Sequence, residues 1–278
     1  MPVNPAYRDF LIALDAIEGG ADPWAAYESH YLRRHQDLLR AYWRQCWGAD
    51  DERMCELVRE MRTGDYRALR QALERADIER LAREALDRCA SLIDLPEPQT
   101  DLLVGRFSPD AFLFDVDGTW HIGVGLERFA HFSSLPLFIA HEYGHYARRL
   151  LAPPPQTLAD HLVGEGAAVV FAEAAYPEQP LARHLRMKPR RIHDLRQQAP
   201  QLWQTLKPHL QANDIEAFAG LFYSGRAWSG FPPRAGACLG YWAVREFARA
   251  RGAQPAGRAV LAAPASAVLK MCLQGLVL

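Results

Sequence analysis

The chain has no apolar stretch long enough to span a bilayer. Its least polar segments, around 166–172 and 259–269, fall well short of the roughly 20 residues a membrane helix needs. It also lacks any CxxC pair. Five cysteines, Cys46, Cys55, Cys89, Cys238 and Cys272, are scattered singly along 278 residues, which argues against a thiolate zinc site and a disulfide framework. An excess of charge of one sign is missing too. The 32 Lys and Arg balance 33 Asp and Glu to leave a formal −1, so no global field draws the chain onto nucleic acid or an anionic membrane. There is no internal repeat or low-complexity tract, and the opening MPVNPAYRDF carries no apolar signal-type core. These absences describe an ordinary globular chain, expected in the cytoplasm, with neither nucleic acid nor membrane as partner and its oligomeric state left open.

What is present is strongly patterned. Up to about residue 94, Trp24, Tyr27, Tyr31, Leu38, Tyr42 and Cys46, and later Leu69, Leu73, Leu81 and Leu86, recur at helical steps. Gly19-Gly20 followed by Asp22-Pro23 marks a break between two of these helices. Leu95-Pro96-Glu97-Pro98 ends the run, and the period drops to two: Leu102 and Val104, Phe112 and Phe114, then Trp120, Ile122, Val124 and Leu126. Asp117-Gly118 predicts a type I′ hairpin turn between the last two strands. Ser133-Ser134-Leu135-Pro136 opens a helix to about Leu150, stopped by Pro153-Pro154-Pro155, and a second runs from near Thr157 to before Pro177. The remainder reads as helices broken at Pro180, Pro200, Pro208, the 230–233 turn and Pro264.

The expected fold is therefore α+β and mostly α-helical. A helical N-terminal layer (1–95) precedes a small sheet and two helices (96–176), and a helical C-terminal lobe follows (177–278). All three parts are expected to form one unit.

The first of the two central helices carries His141-Glu142-Tyr143-Gly144-His145, an HExxH motif. Histidines at i and i+4 stand one turn apart on one face, so both imidazoles can reach a single Zn²⁺ at about 2.0–2.1 Å. Glu142 falls beside such a metal, where a carboxylate takes a proton from a zinc-bound water. Composition alone predicts such a match roughly 0.02 times in a chain like this, so coincidence is a poor explanation. A third ligand is needed to leave one position open. Glu165, in the spacing HExxH-x19-E, interrupts an otherwise apolar helical stripe of Leu158, Leu162, Val169 and Ala172, where an uncompensated carboxylate is costly. Glu173, two turns farther on, is the alternative. The basic run 183–191 is read as a solvated face.

With Glu165 set in Gly164-Glu165-Gly166-Ala167, the motif resembles the gluzincin clan of zinc metallopeptidases. The wider pattern is similar to a family of uncharacterised predicted zinc-dependent proteases. Supporting segments are Ala21-Asp22-Pro23-Trp24-Ala25-Ala26-Tyr27, Gly125-Leu126-Glu127-Arg128-Phe129 and Gly236-Ala237-Cys238-Leu239-Gly240-Tyr241.

The resemblance implies a zincin-like fold, Zn²⁺ held by His141, His145 and Glu165, and Glu142 acting as base and then acid. It also implies that the strand from Trp120 to Leu126 pairs with an extended substrate. In thermolysin-like members a carboxylate one turn after the glutamate ligand steadies a histidine, but here that position is Val169, which leaves Asp160 or Glu173 for the task. Such enzymes usually add a Tyr or His that stabilises the oxyanion. Tyr241 is the first candidate here, with Tyr223 and His161 as alternatives. The expected function is a zinc-dependent metalloprotease hydrolysing peptide (amide) bonds of a peptide or protein substrate through a Glu-activated, zinc-bound water. The alternative is a zinc-binding interaction or regulatory module with lost or latent hydrolase activity.

Overall fold

The computed structural model describes residues 3–105, 109–213, 220–222 and 230–273. Two compact units emerge, one of residues 1–87 and 96–142, the other of 88–95 and 143–278.

In the first unit, helix ends sit where local chemistry puts them. Helix α1 (Tyr7–Glu18) stops at Gly19, and Gly20 adopts φ 94°. Asp22 then caps α2 (Pro23–His30) by accepting from the Ala25 N–H at 2.9 Å, while Pro23 supplies a pre-set φ. Helices α3 (Gln36–Trp47), α4 (Asp51–Arg59), α5 (Arg67–Glu74) and α6 (Ile78–Ala90) complete the helical layer. Its core is aromatic. Phe10 meets Tyr27, Tyr31 and Tyr66 edge-on at centroid distances of 5.0–6.3 Å, a preferred ring geometry that adds to the area each ring buries.

Among the described residues, four strands form one sheet: β1 (Val3–Asn4), β2 (Gln99–Leu103), β3 (Ala111–Val116) and β4 (Thr119–Gly125), in the order β1-β2-β4-β3. The β3–β4 hairpin turns at Asp117 (φ 49°) and Gly118 (φ 85°), both positive as a type I′ turn requires. Strand β2 inserts parallel to β4, and β1 runs parallel to β2. The Tyr31 hydroxyl donates to the Val104 carbonyl and accepts from its N–H, both at 3.2 Å, so a side chain satisfies the backbone just past β2.

This order corrects one expectation. Strand β4 has a hydrogen-bonded neighbour on each side and offers no free edge to a substrate; the edges are β1 and β3. Helix α3 lies along β3. Tyr42 stacks on Phe112 at 5.0 Å, and the Gln45 side-chain amide pairs with both the N–H and the C=O of Asp115. That amide takes the place of another strand at this point of the edge.

One chain boundary between the units falls within helix α7 (Leu135–Leu151), between Glu142 and Tyr143. In the second unit, α8 (Leu158–Ala175) begins with a capping box in which Thr157 and Asp160 satisfy each other's backbone N–H groups. There follow α9 (Leu181–His184), α10 (Pro189–Leu206), α11 (Ala235–Arg251), α12 (Arg258–Leu261) and α13 (Ala265–Leu273). Pro200 does not break α10 as expected. It lies on the exposed side of that helix, where water can satisfy the carbonyl its missing N–H leaves unbonded.

Helix α8 is buried on most of its circumference and packs against both α11 and α13. Cys46, Cys55, Cys89 and Cys238 are all free thiols, and the Cys272 side chain lies outside the described residues. The fold is α+β and mostly helical. Among the described residues, no helix is long and apolar enough to cross a membrane.

Candidate metal centre

Helices α7 and α8 pack antiparallel, and the inner letters of HEYGH explain how. Tyr143 is fully buried and stacks on Phe171 at 5.5 Å with an interplanar angle of 14°. Gly144 lets α8 come close, since a Cβ there would stand 2.8 Å from the Ala168 Cα. One residue on, His145 Nε2 lies 3.2 Å from Glu165 Oε1. His141 is one turn back on the same face of α7, and its side chain is nearly buried at 5% exposure.

His141, His145 and Glu165 thus each offer one ligand atom within 4.8 Å of the other two. This donor set suits Zn²⁺. Ligand lengths of about 2.0–2.2 Å put neighbouring donors around a tetrahedral ion roughly 3.3–3.6 Å apart, close to the separation His145 and Glu165 already have. Glu142 adjoins His141 and is buried.

The other residues singled out from the sequence go elsewhere. Glu173 is not in the group: its carboxylate accepts from the Tyr241 hydroxyl at 3.0 and 3.1 Å and from Arg245 at 2.9 Å. Eight residues separate Glu165 from Glu173, roughly 12 Å along the helix axis, so the structure does not bring the Tyr241 hydroxyl to the ligand group. The physical reason is a better partner: a buried phenol is held by a carboxylate that also pairs with Arg245. Burial and the Glu173 charge both push the Tyr241 phenol upward. Asp160 is occupied by the N–H groups of Gln156 and Thr157 and by the Thr157 hydroxyl. Tyr223 lies outside the described residues.

His161 does stay near. It precedes Glu165 by one turn on the same face of α8, and burial lowers its pKa, with Glu165 and Asp160 opposing the shift and His145 and Arg149 adding to it. Two neighbours went unread in the sequence. Burial and the Glu142 charge push the Cys46 thiol up to about 12, so the end of α3 lies within electrostatic reach of Glu142. Arg149 extends the i, i+4 stripe begun by His141 and His145, a continuation visible in the sequence. A separate cavity of about 260 Å³, lined by Asp37, Arg40, Trp43, Arg44, Asp51 and Asp117 among others, contains none of the three ligand candidates.

Comparison with protein families gives a match over residues 117–270, more than half of the chain, to the family described as Predicted Zn-dependent protease (DUF2268). The chain belongs to this family. The stretch shared with the predicted Zn-dependent proteases runs from the hairpin turn through α7 and α8 to α13, so it includes every member of the His-His-Glu group. Comparison with curated proteins and with solved structures finds no match.

Proposed function

We propose that the protein is a gluzincin-type metallopeptidase that hydrolyses peptide bonds, with His141, His145 and Glu165 as zinc ligands and Glu142 as the proton carrier. The observation that carries this reading is the convergence of the three donor atoms within 4.8 Å, with a buried glutamate next in sequence to the first histidine. When bound, Zn²⁺ supplies a Lewis acid that polarises the scissile carbonyl and lowers the pKa of water to about 7.

The chain's own residues do the rest. His141 and His145 are held one turn apart by the helix, and Glu165 is held opposite by the packing of Gly144 on Ala168, so the donors need little reordering. Glu142 accepts the proton of the attacking water and returns it to the leaving amine. A purely structural metal site has no use for a carboxylate in that place. Among the described candidates for the oxyanion, His161 stands beside the ligand group, and it is assigned that donor role here.

The test is Glu142→Gln. This variant is expected to keep one zinc per chain and to lose peptide hydrolysis, because only the proton carrier is removed. Full activity in the variant would falsify the mechanism. A second reading, a zinc-holding module without turnover, draws support from Asp160 and Glu173 being committed away from the ligands. It predicts one zinc per chain in the wild type with no cleavage of any peptide in a broad library.

A further inference from the structure

Three contacts set the register of α7 against α8: Tyr143 on Phe171, Gly144 on Ala168 and His145 on Glu165. Position rises on one helix as it falls on the other. The next helical turn, four residues farther on α7 and four back on α8, therefore sets Arg149 opposite His161. The electrostatics agree, since Arg149 and His145 both act on His161. Side chains on a helix lean toward its N-terminus, which aims the long Arg149 side chain back along α7 toward His145. Arg149 is partly buried, and all four residues lie within the second unit.

We propose that Arg149 is a specificity residue that binds a substrate carboxylate within about two residues of the scissile bond, so that the enzyme prefers substrates carrying an anionic group there. The reach follows from geometry. One helical turn of four residues is about 6 Å, and an extended peptide advances about 3.3–3.6 Å per residue, so a carboxylate one or two residues from the bond meets the guanidinium.

The chemistry matches as well. A guanidinium presents five N–H donors in a planar fork suited to a carboxylate, so it can hold a neighbour and still receive a substrate oxygen. Two sources supply a carboxylate: the C-terminus of a peptide, and an Asp or Glu side chain.

This inference rests on the peptidase reading for its substrate, so its test includes a measurement that needs no turnover. Binding to the metal-free protein is measured calorimetrically for blocked peptides offered as free acid and as C-terminal amide, and for amide-capped peptides with Glu or Gln at each position. The wild type is expected to bind one anionic series about 10- to 100-fold more tightly than its neutral counterpart. The series that does so identifies the source. Arg149→Gln is expected to erase that difference and Arg149→Lys to keep part of it, both with unchanged far-ultraviolet circular dichroism. In zinc-loaded protein that cleaves peptides, the same preference should appear in kcat/KM.

Equal binding of acids and neutral analogues by the wild type would overturn the proposal, as would undiminished discrimination by Arg149→Gln. Discrimination in binding without cleavage would leave the carboxylate site standing and reject the peptidase reading.

Discussion

Gly166 of α8 and Gly240 of α11 cross backbone to backbone: a Cβ on Gly166 would overlap the Gly240 carbonyl group, and a Cβ on Gly240 would overlap the Leu162 carbonyl oxygen. No flexible side chain is there to move aside. Replacing either glycine by alanine gains about 1 kcal/mol of helix propensity but forces two packed helices apart, and overpacking of this kind costs about 1–3 kcal/mol or more. The clash should win, because its partners are main-chain atoms. Gly166→Ala is expected to lower stability in urea by about 2 kcal/mol net and to weaken zinc binding, since Glu165 is the adjacent residue. A neutral Gly166→Ala would show that α8 is free to shift.

The ligand assignment separates two glutamates on one helix. His145→Ala and Glu165→Ala should each leave the purified protein without stoichiometric zinc after dialysis, because two remaining donors hold the ion too weakly. Glu173→Ala should retain one zinc per chain, since its carboxylate serves Tyr241 and Arg245. Elemental analysis reads all three, and loss of metal from Glu173→Ala would refute the assignment.

Tyr241→Phe tests where that hydroxyl works. Removing a buried hydrogen bond to a charged group costs about 1.5–3 kcal/mol, so the variant should unfold at lower urea concentration. Its kcat should stay within about threefold of wild type, whereas loss of an oxyanion donor costs about 10²–10³. A drop of that size with unchanged stability would return Tyr241 to the catalytic centre.

His184 gives a pH signature. Burial lowers its pKa, against the opposing hydrogen bonds of the Tyr176 and Gln179 backbone, and its Nε2 donates to the Tyr176 carbonyl at 3.2 Å. A proton on Nδ1 is therefore taken up by the unfolded chain first, near pH 6.5, and by the folded chain only at lower pH. In that window the unfolded state binds more protons. The contribution of His184 is complete above about pH 6.5 and is lost as pH falls toward the folded value. The urea midpoint of metal-free protein should decline between pH 7 and pH 5, and His184→Gln should flatten the decline. An identical slope in the variant would remove His184 from the account.

Local chemistry made much of this protein legible in its sequence. The period change after Pro98, the Asp117-Gly118 turn, the Asp22-Pro23 cap and the Thr157 start of α8 all act within a few residues, and the structure follows them. HExxH belongs to the same class, because one helical turn is enough to align His141 with His145. Glu165 was legible through its cost, as a carboxylate on an apolar stripe.

What the sequence could not determine depends on partners distant in the chain. Strand β1 is two residues long and gains its identity only by pairing with β2. Strand β4 looked available to a substrate until β2, about 20 residues earlier, filled its second edge. Tyr241 was judged by its residue type, and only the meeting of α8 with α11 showed that Glu173 holds its hydroxyl. The sequence by itself determined most of the helices, the hairpin and the alignment of His141 with His145, with Glu165 as the first of two carboxylate candidates, because spacing along a helix or strand is a short-range property of the backbone. The tertiary structure alone decided which carboxylate faces His145, which hydroxyl is already engaged, and that the α7 face carrying His145 meets α8, because these depend on how helices cross.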